Sequence, residues 1–189
     1  YNFLANLYGG VPIVDKVYME DKRDFVRASR HEVYAFPRQD LEFATQWLPV
    51  ATPNSPHNGR ITKGAADHLL AEVYISLGEY DKAIEAATRV INGPYKLVTS
   101  RFGNYTSRPG DEYSDLFRDG SQNHAANTDT IWAVQMEYLT PGGIALRNQG
   151  NTTLRAFGNR YWNLKDPDGK AGMVVGDSLG RGVGWVRGT

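Results

Sequence analysis

Apolar residues recur every three or four positions through the first half of the chain, and that period vanishes in its last third. Phe3, Leu4, Leu7 and Tyr8 have helical spacing over residues 1–8, and Gly9-Gly10-Val11-Pro12 ends the segment, because glycine permits positive φ and proline cannot continue the ladder. Residues 13–28 read as irregular and charged. Ser29 followed by Glu32 has capping-box spacing and predicts a new helix, with Val33, Pro37, Leu41, Ala44 and Leu48 along one face. Pro37 predicts a kink or break, since an interior proline costs about 3 kcal/mol. Pro49, Pro53 and Pro56 close this segment.

The strongest period starts at Thr62. Ala65, Ala66, Leu69, Leu70, Val73, Tyr74 and Leu77 mark one helix, and Gly78 suits its end. Tyr80-Asp81 opens a second, with Ala83, Ile84, Ala87, Val90 and Ile91 expected inward, and Asn92-Gly93-Pro94 stops it. Two helices joined by so short a turn must pack antiparallel. Ala71, Ala83 and Ala87 would allow their axes to approach closely. Gly78, Tyr80 and Ala83 stand where a tetratricopeptide (TPR) hairpin places its turn, bulky and small residues. One repeat cannot bury its own apolar face, so the flanking helices are expected to supply neighbours.

Beyond Pro94 the character changes. Residues 95–128 are rich in Tyr, Asn, Ser, Asp and Gly and read as loop with short turns. Residues 130–136, Thr-Ile-Trp-Ala-Val-Gln-Met, predict a strand. From Pro141 onward Gly, Asn and Arg recur among scattered aromatics, the pattern of an irregular but ordered lobe. The expected fold is mainly α: TPR-like antiparallel hairpins over 1–95, and a loop-rich lobe with short strands over 96–189.

Composition narrows the function. Lys+Arg and Asp+Glu balance at 21 each, so no net field draws nucleic acid or an anionic membrane. Without cysteine there is neither a disulfide framework nor a thiolate metal site. No apolar run approaches the roughly 20 residues of a bilayer-spanning helix. The opening Tyr1-Asn2-Phe3-Leu4 has neither an initiator Met nor a basic-then-apolar leader, so the chain reads as a mature or trimmed fragment.

Several blocks together resemble the RagB/SusD family. The main one runs Asn58-Gly-Arg-Ile-Thr-Lys-Gly-Ala-Ala66, through Leu69-Leu-Ala-Glu-Val-Tyr74, to Gly78-Glu-Tyr-Asp-Lys-Ala83. Leu7-Tyr-Gly-Gly-Val-Pro-Ile-Val14 is similar to the family's loop after an early helix, and Ser29-Arg-His-Glu-Val-Tyr34, with Asp40-Leu41 and Leu48-Pro49, to its next helix. Tyr95-Lys-Leu-Val98 and Asp129-Thr-Ile-Trp132 resemble the repeat's exit and the following strand, where the family usually has Glu in place of Thr130. Gly180-Arg-Gly-Val-Gly-Trp-Val-Arg187 resembles a segment before the family's later helices. The blocks occur in the family's order.

That resemblance implies a cell-surface lipoprotein on the outer face of the outer membrane of Bacteroidetes-type bacteria. Such a protein pairs with a SusC-like TonB-dependent transporter and holds an oligosaccharide or polysaccharide nutrient at its mouth, without catalysis and without a cofactor. Family members are much longer, which implies a lipid-bearing cysteine upstream and a large C-terminal part outside this sequence. Sugar recognition needs flat apolar faces for C–H groups beside planar hydrogen-bonding groups for vicinal hydroxyls. Tyr161 and Trp162 beside Arg160 and Asn163, with Trp185 and Arg187 farther on, offer both and are the candidate ligand residues. The same aromatics could instead pin an irregular lobe.

Other patterns compete. A TPR-type scaffold for a peptide would show at least three stacked hairpins, and one is clear. Gly176-Asp-Ser-Leu179 resembles the nucleophile block of GDSL-type esterases. In those enzymes the Asp and His come far downstream, whereas His31, His57, His68 and His124 all precede Ser178. Asp166-Pro-Asp168-Gly169 is similar to the start of a calcium loop, but Ala171 and Asp177 stand where that loop needs Gly and Glu, so a plain turn is expected. The dispersed histidines suggest no metal site. Asn104-Tyr-Thr106 and Asn151-Thr-Thr153 match a glycosylation pattern that is common by chance.

Overall fold

The computed structural model describes residues 1–51, 59–118, 120–135 and 164–170. The chain divides into two compact units, Tyr1–Val134 and Gln135–Thr189. The first is helical: α1 (Asn2–Tyr8), α2 (Arg30–Trp47), α3 (Lys63–Leu77), α4 (Tyr80–Ile91), α5 (Glu112–Leu116) and a 3-10 turn at Ser121–Asn123.

Local chemistry sets the helix ends where the sequence placed them. Ser29 and Glu32 form the reciprocal capping box, with Glu32 Nα 3.2 Å from the Ser29 hydroxyl and the Ser29 amide 2.7 Å from the Glu32 carboxylate. That hydroxyl also donates to the carboxylate, and these contacts hold Glu32 below its ordinary pKa. Gly78 ends α3 in the left-handed region, at φ 77°, and the Glu79 amide closes back on Tyr74 O at 2.9 Å. Two residues then separate α3 from α4, which turns the chain back on itself.

α2 packs on α3 and α3 on α4. Leu70, Ala71, Tyr74, Ala83 and Ala86 form the central cluster, with Leu41 and Ala87 against it. A second cluster joins Ala5 of α1 to Val33 and Tyr34 of α2, covered by Tyr1, Val11, Ile13, Ala28 and Leu77. Leu77 thus carries α3 onto the α1–α2 layer. The small residues at 71, 83 and 86 let the helices approach closely, and a buried Leu such as Leu70 contributes about 1.5–3 kcal/mol.

Polar contacts tie the same three helices at their rim. Tyr74 donates to Glu42 at 2.7 Å, Arg38 to Glu79 at 2.8 Å, and Lys82 to Glu79 at 2.6 Å. The Lys82 ammonium, then Arg38, holds Glu79 below its usual carboxylate value, whereas burial and the Glu42 carboxylate push the Tyr74 phenol up to about 12.

Three expectations change. Of the kink or break expected at Pro37, the break does not occur, and α2 continues through it: the proline deletes one hydrogen bond, but the capping box and packing on α3 hold both flanks. Ile84 and Ile91, expected inward, are 64% and 68% exposed, because α4 meets α3 through Ala83, Ala86 and Ala87 and its Tyr80–Ile84–Ile91 stripe faces away. Residues 130–135 form no strand: no neighbouring strand is present among the described residues to complete a ladder, and Trp132 instead donates its indole N–H to Gly59 O at 3.0 Å. Among the described residues, the α3–α4 pair is the one tight hairpin, flanked by α1 and α2.

Candidate functional site

The first turn of α3 and the last turn of α4 are clasped by Tyr95. Its ring lies against Gly64, where any β-carbon would run into the phenol, and its hydroxyl shares a 3.1 Å hydrogen bond with Thr62. Thr62 is the N-cap of α3 yet makes no capping bond with its side chain, which is committed to Tyr95 and almost fully buried. One turn further, Asp67 is 2% exposed and receives Arg89 of α4 through Nη2 at 2.7 Å and Nε at 2.8 Å, so the buried carboxylate is paired across the hairpin. Beside this clasp lies an open cleft of about 390 Å³, bordered by Lys63, Asp67, Thr88, Arg89, Gly93 and Tyr95. Its ionic groups are largely spent on each other, so it is a seam of the scaffold.

Arg101 organises the loop that follows. Its guanidinium grips the fully buried Asp115 carboxylate through Nε and Nη2, at 2.5 and 3.0 Å. It also donates to the carbonyls of Gly110 (2.8 Å), Tyr105 and Arg108 (each 3.1 Å), while the Phe102 amide donates to Asp115 at 3.2 Å. The arginine holds the Asp115 carboxyl below its ordinary range. Asp111 and Ser114 add a reciprocal cap at the start of α5. This scaffold displays Tyr113 and Phe117, an edge-to-face pair 5.2 Å apart and both exposed. No sequence period marked Arg101 and Asp115, which meet only through the turn of the loop.

The candidate ligand residues Arg160, Tyr161, Trp162, Asn163, Trp185 and Arg187 lie outside the described residues, as do Gly176–Leu179 with Ser178, His57 and Asn151. Asp166–Lys170 does form a turn: the Asp166 amide donates to Lys170 O at 2.9 Å, and its carboxylate accepts the Lys170 amide at 2.8 Å. Gly169 completes it at φ 81°. Among the described residues, no group of three His, Asp or Glu is placed to hold a metal ion. His124 accepts the Ala126 amide on Nδ1 at 3.1 Å, a local turn contact.

No protein-family model matches the chain. SusD-like protein P2 of Formosa agariphila is 33% identical over 95 residues, covering 49% of this chain and 18% of that protein. Starch-binding protein SusD of Bacteroides thetaiotaomicron is 26% identical over 167 residues, covering 85% of this chain. A solved SusD-like protein from Bacteroides fragilis shares 30% identity and superposes with a TM-score of 0.56, over 72% of this chain and 25% of its own. These similarities support a SusD/RagB-like family assignment. It spans 18% and 26% of the two curated relatives' lengths.

The geometry gives structural roles to residues of the blocks that resemble RagB/SusD-like proteins. Thr62, Gly64 and Tyr95 form the clasp, Gly78 the turn, and Ser29 with Glu32 the cap. Gly10 lies where a β-carbon would strike Ala28 O, and Arg27 pins that loop by donating to Gly10 O at 2.8 Å and Tyr8 O at 3.1 Å. Each of these residues holds backbone or side chain of its own scaffold. The motif therefore reports the architecture.

Proposed function

We propose that this RagB/SusD-like protein captures oligosaccharide or polysaccharide nutrients without catalysis, at the extracellular face of the outer membrane, and delivers them to a SusC-like TonB-dependent transporter. In this reading residues 1–95 are the TPR-like scaffold and 96–189 carry the ligand surface. Trp162 is the stacking platform, with Tyr161 and Trp185 beside it and Arg160, Asn163 and Arg187 reaching for hydroxyls. The membrane is reached through a lipid anchor.

The observation that carries the reading is the similarity over 85% of the chain to a protein whose name is starch-binding. The aromatic and planar polar residues at 160–163 supply the chemistry that sugar binding needs, and the balanced charge favours a neutral ligand. Affinity electrophoresis against a panel of soluble polysaccharides tests it. Retardation by one glycan class, lost on Trp162→Ala in a folded protein, is the expected result. Migration unaffected by every glycan would overturn the capture role, and unchanged retardation of the variant would remove Trp162 from it. Co-purification with a TonB-dependent transporter from the native outer membrane checks the partner.

A further inference from the structure

We draw no further inference here: the strongest candidate, the exposed apolar stripe of Tyr80, Ile84 and Ile91 along the outer face of α4, carries nothing because nothing in the structure shows what covers it.

Discussion

The ring of Tyr95 lies so close against Gly64 that no side chain fits between them, and its hydroxyl meets Thr62 at 3.1 Å. The residue leaving α4 thereby locks the first turn of α3, so the hairpin is closed at its open end as well as at Gly78.

This contact gives Gly64→Ala a sign that depends on Tyr95. Alanine is favoured over glycine in a helix by at most about 1 kcal/mol, whereas overpacking costs about 1–3 kcal/mol. Urea unfolding should show Gly64→Ala destabilising the protein. The same change in a Tyr95→Ala background should be neutral or stabilising. Equal effects in both backgrounds would mean that the ring is not the obstacle.

The two faces of α4 and its partner should respond very differently to truncation. Leu70→Ala removes a side chain that is 1% exposed, and should cost about 2–5 kcal/mol. Ile84→Ser, at a position 64% exposed, should stay within about 0.5 kcal/mol. A large loss at Ile84 by thermal or urea unfolding would place that residue in a core after all.

Tyr74 predicts an alkaline limit. Its phenol ionises at about 12 in the folded protein, above the ordinary value of 10.0, so folding favours the protonated form. The stability it contributes is complete below pH 10 and is lost as pH rises through about 12. Tyr74→Phe should cost about 1 kcal/mol at neutral pH, from the lost bond to Glu42, and should flatten the decline between those values. Absorbance-monitored titration alongside urea unfolding reads both effects.

Asp115 predicts the acid limit of the 101–118 loop. Its pKa is lowered by Arg101, so its contribution is present above the unfolded value, about 3.9, and is lost as pH falls through the lower folded value. Asp115→Asn should raise amide exchange in 101–118 by roughly tenfold or more at neutral pH, and should remove most of that loop's acid sensitivity. An exchange pattern matching the parent protein at both pH values would show that the Arg101 pair does not organise the loop.

Much of the helical scaffold was legible because its determinants are local. Ser29 and Glu32 are three residues apart and cap each other, Gly78 takes the left-handed conformation that stops α3, and Asn92-Gly93-Pro94 ends α4. Periodicity likewise marked Leu70, Tyr74 and Ala83 as core. It failed at Ile84 and Ile91 because a period identifies a stripe and not the neighbour that covers it. It failed at 130–135 because a strand requires a partner, which no local run of apolar residues supplies.

The sequence by itself determined where α1, α2, α3 and α4 start and stop, since capping, glycine and proline act within one turn of chain. The resemblance of its blocks, in their order, pointed to the RagB/SusD family. Only the tertiary structure decided that Gly64 must be glycine beneath a tyrosine 31 positions later, that Arg101 and Asp115 are one buried pair, and which side of α4 meets α3. Those contacts join residues far apart along the chain, and their partners are chosen by the packing of whole helices and not by any spacing a short segment can encode.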